Sequence, residues 1–417
     1  MAAKSKSGAK KSTAKKSVAK KATATKKKAE AAAKPASSSK KVATKKKATK
    51  KKSSPLGSFG RSAKATSKLS GMSGIGLDFI GRFPVRQKNS EKKNDQKKQN
   101  VGPVFPQGEY QIACRKDSLS EALLHEFVAV FKSKHTKDKL HKKEIPPSNK
   151  EPFISLEESP SYLHRHVYTR AAFDSLKDKE FDMLVINMKQ VPLQLPKELT
   201  IAACLPREDP RDAMVTTGTY GAIQELPTNA RIGANSRRRL MQIKALRPDI
   251  EIIEVRGDAD ERIRQLKAKD LSAVMLAWAT LRRLNISPRY YVALQPEQML
   301  SAGCQGIAGI ICRSSDKELI EKLNYVDDSE ASWASRCERA FLQKFGEFGD
   351  IPVGANAHRK GTQDPWILDA VIGDAESGEV LQHREIGTSR CKPESLADKA
   401  YVGVLAKGAR KFLPFNF

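Results

Sequence analysis

The chain has 417 residues and a formal net charge of +29, but this charge is unevenly distributed. Residues 1–100 hold 30 basic and 4 acidic residues, a net charge of +26, so residues 101–417 carry only +3. This distribution excludes a basic nucleic-acid-binding domain that extends over the whole chain. It also excludes a fully disordered chain, because the nearly neutral part is long enough to bury several hydrophobic cores.

The first segment in chain order is rich in lysine and almost lacks large apolar side chains. Residues 1–52 contain 20 lysines and one acidic residue, Glu30, among Ala, Ser and Thr. Such a segment cannot bury enough surface to offset its conformational entropy, so we predict a disordered tail over 1–70 and a linker over 71–107. In composition the tail resembles those of linker histones and bacterial histone-like proteins. It is predicted to contact nucleic acid or another polyanion, with a solubilising or targeting extension as the alternative.

The apolar and cysteine patterns limit the compartment. No run of about 18 consecutive apolar residues occurs, so no membrane span is predicted. The N-terminus has positive charge but lacks the apolar segment of a secretory signal peptide. The six cysteines include no C-x-x-C pair, which indicates reduced thiols and argues against a zinc site or a disulfide framework. We therefore predict a cytoplasmic monomer. Binding of polyanions by the tail would in addition associate the protein with the nucleoid.

After residue 107, apolar runs alternate with segments of helical periodicity. Predicted strands lie at 110–114, 182–187, 200–205, 250–255 and 273–278, with predicted helices at 118–131, 236–246 and 259–266. This alternation indicates parallel α/β sheets. Further helices are predicted at 317–323, 330–345 and 393–412, and antiparallel strands at 351–357, 366–371 and 380–386. The predicted fold is therefore two α/β blocks followed by a smaller α+β block.

Segment 203–216, ACLPREDPRDAMVT, contains two prolines and several charges between one block and the next. Proline fixes the backbone and interrupts helices and central strands. The segment is typical of a hinge between domains, although an ordinary charged loop has the same composition.

Arginines follow three successive predicted strands. They are Arg237, Arg238, Arg239, Arg256, Arg262 and Arg283. Helix N-termini and guanidinium groups both favour carboxylates or phosphates. Because parallel strands end at a common crevice, the recurrence predicts a polyanionic ligand, whereas any one arginine alone is better explained as part of a solvated basic face.

A set of short motifs connects this part of the chain with a known family. They are REDPRDA at 207–213, the helix start SRRR at 236–239, the loop 256–262, AGCQGIAGIICR at 302–313, ERAFL at 338–342 and PVGANA at 352–357. On these motifs the chain resembles the porphobilinogen deaminases, also called hydroxymethylbilane synthases. The resemblance extends over about residues 108–417, in order and without large gaps.

The resemblance implies three domains. The first two would be α/β domains similar to periplasmic binding proteins, and the third a small α+β domain. The implied boundaries are 108–206 plus about 303–325, then 207–302, then 326–417. Family members join four porphobilinogen units head to tail, releasing ammonia, and form the linear tetrapyrrole hydroxymethylbilane for haem synthesis. They build it on a dipyrromethane cofactor held by a thioether to one cysteine.

The binding residues that the family uses are matched in this chain. Its carboxylate-binding positions correspond to Arg115, Ser236, Arg238, Arg239, Arg256, Arg262 and Arg283. Lys189 matches a further position at the reacting groups. Each pyrrole has two carboxylates, so a growing chain needs several fixed cations. The implied ligand is porphobilinogen or a linear tetrapyrrole, and no metal is implied.

Two chemical groups of the family are not matched. Gln190, beside Lys189, stands at the position of the catalytic aspartate, and Gly349 stands at the position of the cofactor cysteine. An amide does not transfer a proton at neutral pH, and glycine has no nucleophile, so covalent attachment of dipyrromethane is not expected. Lesser departures from the family pattern are Asp117, Leu123, Ala234 and Asn235. Cys114 is the cysteine predicted to lie nearest the crevice.

Three functions therefore remain open from the sequence. One is a working hydroxymethylbilane synthase with displaced chemistry. The second is a catalytically degenerate protein that binds carboxylates or tetrapyrroles and has a nucleic-acid-binding tail. The third is a passive scaffold that carries the tail.

Overall fold

The computed structural model describes residues 107–145, 161–346 and 351–413, which belong to one compact unit. The predicted tail, nearly all of the predicted linker and Gly349 lie outside these residues. The described chain forms two five-stranded sheets and one three-stranded sheet. Strands and helices are numbered below in chain order.

The first sheet has the strand order β2-β1-β3-β10-β4. Its strands are β1 (Glu109–Arg115), β2 (Lys139–Ile145), β3 (Met183–Asn187), β4 (Leu199–Cys204) and β10 (Ala308–Arg313). Helices that contact it are α1 (Ser118–Lys134), α2 (Ser161–Lys177) and α6 (Lys317–Asn324). Strands β3 and β10 are apolar and almost wholly buried, as expected for strands that are covered on both faces.

The second sheet repeats this arrangement with the order β7-β6-β8-β5-β9. Its strands are β5 (Asp212–Thr216), β6 (Arg231–Gly233), β7 (Glu251–Ile253), β8 (Ala273–Ala277) and β9 (Tyr291–Ala293). Its helices are α3 (Arg237–Leu246), α4 (Ala259–Ala268) and α5 (Trp278–Arg283). Helix α4 begins with a capping box, in which Asp258 and Glu261 satisfy each other's backbone N–H groups.

Both sheets are mixed, which corrects the prediction of purely parallel sheets. In each sheet four strands run in the same direction, and one strand, β10 or β5, is antiparallel to both of its neighbours. The chain crosses from β4 to β5 and returns from β9 to β10, and β5 starts opposite the last residue of β8. The strand by which the chain enters each sheet after a crossover, β5 or β10, therefore starts at the edge where the parallel strands end. It runs in the opposite direction to those strands.

Only part of the predicted hinge segment, 203–216, forms a connection between domains in the structure. Its residues 205–211 form the first crossover, but 212–216 are the fully buried strand β5. The second crossover, 294–307, passes very close to the first. Gly306 has a φ of +87°, and a Cβ there would lie 2.2 Å from the Glu208 carbonyl oxygen, so only glycine fits.

The third domain is a three-stranded antiparallel sheet with two helices. Its elements are α7 (Ser329–Gln343), β11 (Val353–His358), β12 (Ile367–Gly373), β13 (Val380–Ile386) and α8 (Pro393–Ala406). The predicted last helix therefore ends at Ala406, and residues 409–412 form a separate 3₁₀ turn after Gly408, whose φ is +95°. Trp333 and Trp366 stack with ring centroids 3.8 Å apart.

Other predicted boundaries also need correction. Trp278 begins α5 and does not end a strand, and the strand predicted over 250–255 comprises only Glu251–Ile253. None of the helices in the described part of the chain is both long and apolar enough to cross a membrane.

Candidate carboxylate-binding site

Both crossovers meet the ends of the parallel strands, and the predicted site residues lie at these ends. In the first sheet, β1 ends at Arg115 and β3 leads into a 3₁₀ turn, Met188–Gln190. In the second sheet, the parallel neighbours β6, β7 and β8 lead to Ser236, Arg256 and Arg283. Since such strand ends form the usual ligand crevice of α/β sheets, the topology agrees with the arginine pattern.

Gln305, in the second crossover, connects the two sheets by hydrogen bonds. Its Oε1 accepts from Lys189 Nζ at 3.1 Å, and its Nε2 donates to Asp212 Oδ1 at 3.1 Å. Nε2 also lies 2.6 Å from the carbonyl oxygen of Pro210 in the first crossover. Gln305 is 1% exposed, so its amide is held in one orientation that fixes the Lys189 ammonium group at the crevice.

Asp212 is a fully buried carboxylate that two of the predicted site arginines share. Arg238 Nη2 donates to its Oδ2 at 2.6 Å, and Arg239 Nη2 donates to its Oδ1 at 2.6 Å. Burial alone would raise the pKa of Asp212, but the two guanidinium charges and their hydrogen bonds outweigh it and hold this pKa below its usual range. Both arginines are therefore partly occupied by an internal acid, and the three groups together retain one positive charge.

The loop after β7 adds further positive charge beside this group. Arg262 Nε donates to the carbonyl oxygen of Gly257 at 2.8 Å. Burial and the nearby Arg239 charge lower the pKa of Arg262, which places these two cations within electrostatic reach of each other. Arg256 Nη2 lies 3.1 Å from Glu254 Oε1, and the Arg256 side chain is 39% exposed. Cations that repel each other in the folded state favour binding of an anion between them.

The start of α3 has two polar side chains that the helix does not use. Ser236 is the N-cap residue, but its hydroxyl makes no capping hydrogen bond. The Oδ1 of Asn235 is buried without a hydrogen-bond partner in the described structure. Helix N-termini stabilise anions, so this helix start fits the edge of a carboxylate site.

Arg115, the predicted binding residue of the first sheet, has an acidic neighbour. Its Nε lies 3.5 Å from Asp117 Oδ2. Asp117 also caps α1 by accepting from the Ser120 backbone N–H at 2.9 Å. The residue that departs from the family pattern at this position therefore has a structural role and places negative charge next to Arg115.

The turn that carries Gln190 is fixed from two sides. The Thr169 hydroxyl of α2 donates to the Gln190 carbonyl oxygen at 3.1 Å. Arg339 of α7 donates to the carbonyl oxygens of Val191 at 3.1 Å and Leu193 at 2.9 Å. The half-buried Gln190 is thus well positioned, but its amide offers hydrogen bonds and no titratable proton.

Glu338 forms hydrogen bonds with residues of both crossovers and of the third domain. This fully buried carboxylate accepts from Arg207 Nη1 at 2.5 Å, from the Cys304 backbone N–H at 2.5 Å and from the Ala357 backbone N–H at 2.7 Å. Arg207 lies in the first crossover, Cys304 in the second and Ala357 in β11. The pair therefore holds both crossovers against the third domain.

Comparisons with known proteins identify the family of this chain. The family model described as "Porphobilinogen deaminase, dipyromethane cofactor binding domain" matches residues 110–321. The chain belongs to the porphobilinogen deaminase family. A porphobilinogen deaminase of Roseiflexus sp. (strain RS-1) is 35% identical over 240 residues, 58% of this chain and 78% of that relative. Another, of Campylobacter concisus, is 32% identical over 249 residues, 59% of this chain and 79% of that relative.

Solved structures are more distant. The methionine binding protein MetQ is 10% identical, with a TM-score of 0.33 over 58% of this chain and 95% of that chain. That similarity is too low to bear on function.

The porphobilinogen deaminase family binds a dipyrromethane, and the residues here fit only part of that group. The arginines and Ser236 suit its carboxylates. Its thioether needs an accessible thiolate, yet five of the six cysteines are buried. Burial raises the pKa of Cys114 and of Cys304 to about 11, and that of Cys204 and of Cys312 to about 12. Burial also raises the pKa of Cys337.

The remaining thiol does not restore this attachment. Cys391 is half-buried beyond β13 in the third domain, where its backbone carbonyl accepts from Trp333 Nε1 at 3.3 Å. Cys114, the cysteine predicted nearest the crevice, is fully buried in the core of the first sheet. No described thiol therefore fits covalent attachment.

Several residues of the site were not predicted as such from the sequence. Asp212, Arg207, Gln305 and Glu338 were visible only as letters of the family motifs. Glu126 of α1, which contacts Arg283, lies in no motif. No local pattern indicates the role of Glu126, because the pairing joins residues 157 positions apart.

Proposed function

We propose that this member of the porphobilinogen deaminase family binds the carboxylates of a pyrrole or linear tetrapyrrole, without the covalent turnover for which the family is named. One observation carries the proposal. The crevice residues include clustered cations, whereas the turn at Lys189 presents an amide, Gln190, in place of a carboxylate. The site therefore has charge for binding and lacks the proton-transferring group.

The cationic residues have distinct parts in this binding. Arg262, whose charge lies close to that of Arg239, is relieved of repulsion when a carboxylate enters. Lys189, held by Gln305, supplies a point charge from the first sheet. Ser236 supplies a hydroxyl donor at the start of α3. Arg262 and Lys189 are each held by a neighbour, so little of their side-chain entropy is lost on binding.

The alternative within the family is a working porphobilinogen deaminase with displaced chemistry, and family membership itself favours it. Its chemistry would need a different proton carrier near Lys189 and a different nucleophile. The Arg239 and Arg262 charges do not supply either, because a guanidinium remains protonated at neutral pH.

Two measurements on the full chain test the proposal. The first is quenching of tryptophan fluorescence by biliverdin, a stable linear tetrapyrrole with two propionate groups. The second is consumption of porphobilinogen, with an active porphobilinogen deaminase as positive control. We expect saturable binding of biliverdin and no consumption. Consumption of porphobilinogen would favour the working enzyme, and absence of biliverdin binding would contradict the carboxylate-binding role.

A second function belongs to the tail. The 20 lysines in residues 1–52 support sequence-independent binding to nucleic acid or another polyanion by counterion release. Retardation of a DNA duplex should then disappear at high salt and on deletion of residues 1–70. Equal retardation after the deletion would exclude the tail as the binding segment. A cytoplasmic, nucleoid-associated monomer is the arrangement that fits this function.

A further inference from the structure

Arg283 is held by an acid of the other α/β domain. It is the last residue of α5, and its side chain is 9% exposed. Its Nε donates to Glu126 Oε2 of α1 at 2.9 Å, and its Nη1 donates to the Gly306 carbonyl oxygen at 3.0 Å. The ion pair therefore connects the second sheet's last helix with the first sheet's first helix, beside Gln305.

The third nitrogen of this guanidinium, Nη2, takes no part in these hydrogen bonds. Arg283 Nη2 is buried and has no hydrogen-bond partner in the described structure. A buried N–H without an acceptor is unfavourable, and such a group in a native site is commonly satisfied by a ligand or water. The two N–H groups of Nη2 are therefore available for an oxygen of a bound molecule.

The remaining geometry does not suit a carboxylate. A carboxylate binds arginine best through two parallel N–H groups, either Nε with Nη2 or Nη1 with Nη2. Glu126 occupies the first pair through Nε, and the Gly306 carbonyl oxygen competes for the second by taking one of the two N–H groups of Nη1. The Arg283–Glu126 pair is also neutral overall, so a second carboxylate would meet the Glu126 charge at close range.

We propose that Glu126 is a specificity-determining residue, which converts Arg283 from a carboxylate-binding group into a donor for one neutral acceptor. The preferred ligand then has an amide, ester or carbonyl oxygen at this position, where a fully ionised pyrrole ligand would have a carboxylate. A ligand with a carboxylate there binds only by displacing Glu126, whose side chain is one-third exposed. This inference rests on the proposed binding of tetrapyrroles.

The matched substitution is Glu126→Gln, which keeps an oxygen acceptor and removes the charge. The control is Glu121→Gln, on the same helix, where the exposed carboxylate pairs with Lys142 at 3.2 Å. The affinities of the full-length wild type and of both variants would be measured for biliverdin and for biliverdin dimethyl ester. A purely structural role of Glu126 would weaken the binding of both probes by the same factor. The ratio of the ester's Kd to the acid's Kd would then stay unchanged, so a change in this ratio reports on specificity.

We expect Glu126→Gln to raise this ratio in favour of the acid by about tenfold, and Glu121→Gln to leave it unchanged. Adding Arg283→Gln to Glu126→Gln should abolish the gain. Equal ratios in wild type and Glu126→Gln would overturn the role of Glu126, while binding of both probes would leave the proposed function intact. Failure of every variant to bind either probe would overturn the proposed function and this inference with it.

Discussion

Glu338 accepts a hydrogen bond from Arg207 at 2.5 Å, and both crossovers between the α/β domains depend on this pair. Glu338 is fully buried, and among the described residues its charge is compensated by Arg207 and by two backbone N–H groups. The residues were visible in the sequence as parts of two motifs more than 130 positions apart. Their contact makes the third domain a support for the ligand crevice.

Replacing this carboxylate should destabilise the whole described fold. Glu338→Gln leaves Arg207, whose side chain is only 13% exposed, without its counter-charge, which is expected to lower the free energy of unfolding by about 3–5 kcal/mol. The measurement is urea unfolding followed by tryptophan fluorescence. The control is Glu330→Gln, because Glu330 is a half-exposed partner of Arg359 and its loss is expected to change stability by less than about 1 kcal/mol. Equal effects of the two variants would contradict the structural role of Glu338.

Asp212 should make stability depend on pH in the acid range. Its folded-state pKa is held below the unfolded value of about 3.9 by Arg238 and Arg239. The unfolded chain therefore takes up the proton first as the pH falls. The stabilisation is complete above the unfolded pKa and is lost as the pH falls through the folded pKa.

The variant Asp212→Asn tests this dependence. We expect a lower urea midpoint at pH 7, since two guanidinium groups lose their acid, and a shallower decline of the midpoint below about pH 4 than in wild type. Asp260→Asn, an exposed acid of α4, is the control. If wild type and Asp212→Asn declined with the same slope, the buried pairing at Asp212 would be wrong.

Substitution of Arg262 should weaken ligand binding without lowering the stability of the fold. Arg262 is half-buried and its charge lies close to that of Arg239, so Arg262→Gln relieves repulsion and should leave stability unchanged or slightly increased. The same change should weaken biliverdin binding by about 1.5–3 kcal/mol, the usual range for a hydrogen bond to a charged group. Arg264→Gln, on the exposed side of the same helix, should alter neither. A loss of stability in Arg262→Gln without a loss of affinity would show that Arg262 is structural.

The thiols should be nearly inert in the native state. Burial raises the pKa of Cys114, Cys204, Cys304 and Cys312 far above neutral, so few thiolates exist at pH 8. A colorimetric disulfide reagent should therefore label at most one thiol quickly, the half-buried Cys391, and all six after denaturation. Fast labelling of Cys114 would reopen it as a nucleophile near the crevice.

Much of the fold could be predicted from the sequence, because buried strands are continuous apolar runs. Met183–Asn187 and Ala273–Ala277 were found in this way. Strand β2, KLHKKEI, was missed because it lies at the sheet edge and is mostly charged; its pairing with β1 makes it a strand. The strands Arg231–Gly233 and Tyr291–Ala293 are too short to show a pattern.

The candidate site could be predicted only in part. The sequence indicates which arginines follow parallel strands, since strand ends and residue types are local features. It does not indicate that Asp212 and Glu126 already hold three of those arginines. Such pairings depend on how the crossovers bring distant segments together, and each changes the number of donors that remain for a ligand.

We propose that this protein retains the carboxylate crevice and has lost the family's chemistry at two positions, Gln190 and Gly349. The most direct test is the intact mass of the full chain after incubation with porphobilinogen, for wild type and for Gln190→Asp/Gly349→Cys. We predict an unchanged mass for wild type and, for the double variant, a mass increased by covalently attached pyrrole units. Attachment of pyrrole units to the wild-type chain would contradict the claim.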